Sequence, residues 1–123
     1  MTNFDFLKNE QKFNSFSEAA VVAEKSININ PASCVINCRR TMEFAVKWLY
    51  SVDESLAKPY QDTLVSLINT EDFRELIDDN LWKRIDFIRR MGNIAVHSNK
   101  KISFDQAELC LRNLYIFMDY VAY

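Results

Sequence analysis

A single glycine, Gly92, is the feature that most limits what this 123-residue chain can fold into. Sheet-rich proteins need many tight turns, and most tight turns use glycine or proline, of which the chain has only one and two. Apolar residues make up 49% of the chain and charged residues 26%, which is usual for a globular protein. The sequence therefore predicts an all-α fold, and its length predicts one domain with a sizeable core.

Apolar residues recur at helical spacing in three long segments and in two or three short ones, which predicts a single-domain helical bundle. The predicted helices cover residues 15–29, 31–51, 61–68, 71–77, 81–97 and 103–123. The residues predicted to cap helix N termini are Ser15, Asn30, Thr70, Asn80 and Ser103. Ser15 with Glu18 and Ser103 with Gln106 have the spacing of a capping box.

The chain divides into two parts. Residues 1–14 are rich in phenylalanine and are predicted to be a lead-in segment that packs on the body, and residues 15–123 are predicted to be the bundle domain. The apolar pattern of the last helix is still running at Tyr123. We therefore expect this domain to be the N-terminal piece of a longer multidomain protein.

The net charge of −2 does not indicate wholesale phosphate binding, although it allows a local basic patch. The three cysteines, Cys34, Cys38 and Cys110, do not make a disulfide framework and are predicted to be small buried residues in a reducing compartment. No spacing typical of a metal site, no signal peptide and no membrane span is evident, and no cofactor is expected in this domain. We expect a soluble, cytoplasmic protein without a membrane partner.

The fifth predicted helix has two opposite faces. One face carries a polar stripe, which consists of Asp86, Arg90, Asn93 and His97. The opposite face is apolar, with Gly92 at its centre, and its members are Leu81, Ile85, Ile88, Gly92 and Ala95. Since a glycine inside a helix costs about 1 kcal/mol relative to alanine, Gly92 needs a reason. Either a neighbouring helix approaches closely there, or the helix kinks or ends near Gly92.

The polar stripe has the chemistry of a phosphate site, because arginine neutralises phosphate charge and histidine titrates near neutral pH. Nearby cations extend it, including Arg39, Arg40 and Lys47 on the second helix if that helix packs alongside. The residues predicted to bind phosphate or nucleic acid are Arg89, Arg90, Asn93, His97, Lys100, Lys101, Arg39 and Arg40. The competing interpretation is structural: His97 is a helix cap, Asn93 ties two helices together, and Arg90 pairs with Asp86 or Glu43.

Six short runs carry a resemblance to a known family, in the order AEK at 23–25, NPA at 30–32, CRRTME at 38–43, KWLY at 47–50, PYQDTL at 59–64 and IRRMGNIAVH at 88–97. Together they resemble the helical domain at the N terminus of the restriction (R) subunits of type I restriction-modification enzymes and of related restriction-type helicases. That domain is otherwise described as one of unknown function. The resemblance covers nearly the whole chain.

The resemblance implies a non-catalytic N-terminal module of an R subunit, which contributes to DNA or nucleotide binding or to docking on the other subunits. The parent protein would then be a bacterial ATP-dependent type I site-specific endonuclease, a hydrolase. Nuclease and translocase domains would follow this module in the chain.

The same domain is similar to the wider higher-eukaryote-and-prokaryote nucleotide-binding (HEPN) superfamily. Its hallmark is an arginine followed, after four to six residues, by a histidine on a helix of a bundle, and Arg90 and His97 have six residues between them. This implies an alternative function, a metal-independent ribonuclease that acts as a homodimer with Arg90 and His97 as catalytic residues. Ribonuclease members usually have a polar residue after the arginine, whereas Met91 stands there in this chain. A third interpretation is a purely structural helical interaction module.

Overall fold

The computed structural model describes Phe4, Phe6, Leu7 and residues 14–61, 63–97 and 101–122. These residues form six helices and no strand, so the predicted all-α class is confirmed. The helices are α1 (Asn14–Ser26), α2 (Pro31–Val52), α3 (Leu64–Ile68), α4 (Glu71–Leu76), α5 (Asp79–His97) and α6 (Phe104–Ala122). No helix among the described residues is long and apolar enough to cross a membrane.

Three predicted N-caps are confirmed. The Asn30 side chain accepts hydrogen bonds from the first backbone N–H groups of α2, and Pro31 follows it at the first helical position. The Thr70 hydroxyl accepts from the first turn of α4 at 3.1 Å. At the start of α6, the Gln106 side chain accepts from the Ser103 N–H at 2.9 Å, and the Ser103 hydroxyl accepts from the Gln106 N–H at 3.1 Å.

The predicted cap of α5 was wrong. The Asp78 carboxylate, not Asn80, accepts a hydrogen bond from the Leu81 N–H at 2.9 Å, and α5 begins at Asp79. The error was two residues, because this short polar stretch contains more than one side chain that is able to cap a helix.

Three other predicted boundaries were also wrong. Helix α1 begins at Asn14, so the predicted cap Ser15 lies within its first turn. Helix α1 ends at Ser26 rather than near Ile29, because the Ser26 carbonyl accepts the N–H groups of Ile29 and Asn30 in the turn that leads into α2. Helix α3 begins at Leu64 rather than at Gln61, because Thr63 caps it.

Helix α2 is the centre of the bundle and packs against α1, α5 and α6. Its N-terminal half lies beside the C-terminal half of α5, where Arg39 meets Gly92. The C-terminal end of α2 and the N-terminal end of α5 are connected through α3. The Tyr50 hydroxyl of α2 donates to the Leu67 carbonyl, and the Trp82 indole N–H of α5 donates to the Ile68 carbonyl. Helices α2 and α5 are therefore antiparallel neighbours, which determines what surrounds the polar stripe.

The lead-in segment contributes apolar side chains to the fold. Phe4 and Leu7 are buried, with 1% and 0% exposure. The rings of Phe4 and Phe6 lie 6.1 and 5.8 Å from the ring of Tyr115 on α6. Phe13, another apolar residue of this segment, lies outside the described residues.

The three cysteines are buried and free, as predicted, and lie on α2 and α6. Burial, together with the nearby Cys34, raises the pKa of Cys110 to about 12, and hydrogen bonding from Cys34 and burial raise the pKa of Cys38. Both thiols are therefore neutral in the folded protein at neutral pH.

The raised pKa of Cys110 makes the stability of this fold sensitive to alkali. Between pH 9 and pH 12 the unfolded chain releases the Cys110 proton while the folded chain retains it, so the free energy of unfolding should fall as the pH rises. The contribution of Cys110 to this fall in the free energy of unfolding approaches about 1.4 kcal/mol per pH unit. Urea unfolding of the wild type and of Cys110→Ala across this range should give a shallower slope for the variant. Equal slopes would contradict the prediction.

Candidate anion-binding site

The polar stripe of α5 lies on the surface. The Arg90 side chain is 64% exposed and His97 is exposed, while Asn93 is half-buried. The opposite face of α5 is buried against the core through Leu81, Ile85, Ile88 and Gly92, as its apolar pattern predicts. The C-terminal half of the stripe is therefore accessible to a ligand.

Gly92 marks a close approach between α5 and α2. A Cβ atom at Gly92 would lie inside contact distance of Arg39 Cδ, 2.8 Å from Arg39 Cβ and 3.0 Å from Arg39 Cγ. Helix α5 continues without interruption to His97, so the alternative of a kink or an end at Gly92 was wrong. The missing side chain leaves room for the aliphatic part of Arg39 to cross α5.

Arg39 has no acidic partner among the described residues. Among the described residues it makes no hydrogen bond or ion pair, and its Nε atom is buried without an acceptor. Glu43, one turn further along α2, pairs instead with Lys47 at 3.1 Å. A buried guanidinium nitrogen without a partner is costly, because it has lost water and gained no other acceptor. The arrangement suits an anion supplied from outside the fold.

The course of the Arg39 side chain follows from helix geometry. Side chains of a helix lean toward its N terminus, and the N terminus of α2 lies beside the C terminus of α5. From this geometry we expect the guanidinium of Arg39 to lean toward the end of α5 that carries Asn93 and His97. In the part of the chain that the structure describes, neither Asn93 nor His97 makes a side-chain hydrogen bond or an ion pair.

The two consecutive arginines of α5 share one carboxylate. Asp86 Oδ1 lies 2.9 Å from both Nε and Nη2 of Arg89, and Asp86 Oδ2 lies 3.1 Å from Nε of Arg90. The Asp86 side chain is only 14% exposed, so this cluster is shielded from solvent more than a surface ion pair. Of the two partners that the sequence left open for Arg90, the structure selects Asp86 rather than Glu43. Asp86 is the residue missing from the predicted set, although its spacing of three and four residues from the arginines indicates such pairing.

Residues 21–123 match the family described as a domain of unknown function, DUF4145. The chain belongs to this family. No curated protein and no solved structure matches it. Every described candidate residue of this DUF4145 domain, from Arg39 to Lys101, lies inside the matched range.

The structure separates the remaining candidates of the DUF4145 domain. Arg40 is directed away from Arg39, because its guanidinium carbon lies over the ring of Phe44 at 5.4 Å, and Phe44 is on another side of α2. Lys101 is exposed just before α6, and Lys100 lies outside the described residues. The structure places Arg39 beside Gly92 at the α2–α5 junction. Asn93 and His97 lie on the polar stripe of the same half of α5, where Asp86 holds Arg89 and Arg90.

Arg39, Asn93 and His97 have the side-chain chemistry of an anion site. Arg39 supplies a planar set of donors, Asn93 an amide, and His97 an imidazole. Among the described residues, no cluster of three or more histidine, cysteine or acidic side chains is placed to hold a metal ion. Arg90 and His97, the pair on which a ribonuclease would depend, differ in their surroundings. Arg90 pairs with Asp86, whereas His97 has no partner among residues 14–61, 63–97 and 101–122.

Proposed function

We propose that this domain is a non-catalytic DNA-binding module that holds backbone phosphates at the junction of α2 and α5. The observation that carries the proposal is Arg39, whose guanidinium is partly buried beside Gly92 and has no carboxylate partner among the described residues. A phosphate oxygen supplies the charge and the acceptors that Arg39 lacks. Asn93 and His97 lie in the half of α5 that is beside Arg39, and they would add further hydrogen bonds to the phosphate.

The resemblance described above supports a cellular context for this activity. We infer that the domain is the N-terminal module of a type I restriction enzyme R subunit, in the cytoplasm, where it holds DNA or docks on the other subunits. ATP hydrolysis and DNA cleavage would belong to the parent protein, a type I site-specific endonuclease.

The number of available cations limits how strongly salt affects binding. Arg39 is unpaired among the described residues and Lys101 is exposed, whereas Arg89 and Arg90 are partly neutralised by Asp86. Because each phosphate contact contributes about 0.9 to the slope of log K against log salt, we expect a slope of about −2. Proteins that make many phosphate contacts have much steeper slopes. This site would therefore contact about two phosphates, in contrast to a long basic groove.

The neighbouring arginines Arg39 and Arg40 provide a matched test. Fluorescence anisotropy of a labelled duplex should show that Arg39→Ala weakens binding and flattens the salt slope by about one unit. Arg40→Ala removes one positive charge from the next position in the chain. It should leave the affinity for the duplex and the salt slope close to those of the wild type. Equal losses in the two variants would indicate unspecific attraction, and wild type that does not bind at low salt would remove the DNA-binding role.

A further inference from the structure

A cleft lies where the N-terminal part of α5 packs against the C-terminal part of α6. Arg84 of α5 bonds to Asn113 of α6, and Leu81 lines the cleft together with Ile116 and Tyr120. The two helices are therefore antiparallel at this end of the bundle. The cleft has a volume of about 430 Å³. This volume is within the range of about 300–1,000 Å³ that is typical of small-molecule sites.

Arg84 supplies the positive charge of this α5–α6 cleft. Its Nη1 donates to Oδ1 of the buried Asn113 at 2.8 Å, which fixes the guanidinium. Among the described residues, no carboxylate oxygen lies within 4.0 Å of an Arg84 nitrogen. The one side-chain nitrogen sealed from solvent without an acceptor in that part of the chain is Arg39 Nε, so the remaining donors of Arg84 are accessible. Arginine uses such donors to bind a carboxylate through two parallel hydrogen bonds.

Two carboxylates line the same cleft, Asp78 from the turn before α5 and Asp119 from the last turn of α6. Asp78 uses Oδ1 to cap α5, whereas Asp119 makes no hydrogen bond or ion pair with any other described residue. Burial, followed by the charges of Asp53 and Asp78, raises the pKa of Tyr120, so its hydroxyl lies close to negative charge. The cleft therefore contains charges of both signs that do not pair with each other.

We propose that the α5–α6 cleft binds a free α-amino acid with an apolar side chain, in its zwitterionic form. The carboxylate lies against Arg84 and the ammonium group near Asp119, while the apolar side chain contacts Leu81 and Ile116. The nitrogens of Arg84 lie more than 4.0 Å from the carboxylate oxygens of Asp119, so a ligand with both charges is able to bridge them. The proposal does not depend on DNA binding, because Arg39 lies beside the other half of α5.

Three probes with the same apolar group test the proposal. L-leucine carries both charges, 3-methylbutylamine lacks the carboxylate, and 4-methylpentanoate lacks the ammonium group. Each is titrated into the full chain, and backbone amide shifts are followed by NMR. We expect saturable shifts around Arg84, Asn113 and Asp119 with L-leucine at millimolar concentrations, and binding of the other two that is about threefold to tenfold weaker. Equal binding of L-leucine and either single-charge probe, or no saturable binding of L-leucine, would overturn the proposal.

Substitutions then separate the two charges. Arg84→Gln should bind L-leucine no better than the wild type binds the amine, and Asp119→Asn should bind it no better than the wild type binds the acid. Each variant should still bind the single-charge probe whose partner it retains, so that a loss caused by misfolding is recognised. Asp105→Asn, which removes an exposed carboxylate from the first turn of α6, is the charge control and should change nothing. Full affinity for L-leucine in both Arg84→Gln and Asp119→Asn would contradict the proposal.

Discussion

Gly92→Ala is expected to lower the free energy of unfolding by about 1–2 kcal/mol, although alanine is the better helix former. In an isolated helix this change would stabilise by about 1 kcal/mol. Here the new Cβ atom would lie 2.8 Å from Arg39 Cβ, which cannot rotate away because it is attached directly to the backbone of α2. Relief requires α2 and α5 to move apart, and forcing a well-packed contact open typically costs about 1–3 kcal/mol.

Urea unfolding of the wild type and of four variants, Gly92→Ala, Asn93→Ala, Arg39→Ala and the double variant Arg39→Ala/Gly92→Ala, measures this effect. Asn93 follows Gly92 in α5 and is half-buried on the polar side. Asn93→Ala therefore reports the stabilisation that alanine gives through its helix propensity, without a clash with Arg39. In an Arg39→Ala background, the clash of Gly92→Ala with Cγ and Cδ disappears and only the clash with Cβ remains. The cost of Gly92→Ala should therefore be smaller in that background. A stabilised Gly92→Ala protein would contradict the close approach of the two helices.

Asp86→Asn is expected to have opposite effects on folding and on DNA binding. The change leaves Arg89 and Arg90 without their shared carboxylate, and the Arg89 side chain is only 20% exposed. We expect a loss of about 1–2 kcal/mol in the free energy of unfolding, less than for a fully buried pair because Arg90 is in contact with water. The same change releases two cations beside Arg39, so the proposed DNA binding should strengthen at low salt. The slope of log K against log salt should become steeper by about two units.

Asp79→Asn is the matched control for Asp86→Asn. Asp79 lies at the other end of α5, is 64% exposed, and pairs with Lys83 at 3.2 Å and with Arg74 at 3.6 Å. Its loss should change the free energy of unfolding by less than about 1 kcal/mol and leave the salt slope unaltered. If Asp86→Asn destabilises the fold without strengthening DNA binding, Arg89 and Arg90 do not reach the ligand. Arg39→Ala would then still test the remaining site.

The elements of this fold were largely predictable because they depend on residues close together in the chain. The caps at Asn30, Thr70 and Ser103 bond to backbone groups within three residues. The start of α5 was predicted less well. Whether Asp78 or Asn80 caps α5 depends on where α4 ends and on how Ile77, between the two helices, is buried.

The candidate site was only partly predictable. The polar stripe follows from helical periodicity, and Gly92 indicated that another helix comes close. Neither feature distinguishes Arg39 from Arg40, which are adjacent in sequence and chemically identical. Only the packing of α5 on α2 places the stem of Arg39 over Gly92, while Arg40 remains over Phe44.

The sequence by itself determined the helical class, most caps and the two faces of α5, since those depend on spacing and on neighbours within a turn or two. The tertiary structure decided which charges remain without a partner. Asp86 holds both arginines of its own helix, Glu43 holds Lys47, and Arg39 is left without a carboxylate among the described residues. The physical reason is that pairing of charges depends on distances between helices, and those distances arise only when the core is packed.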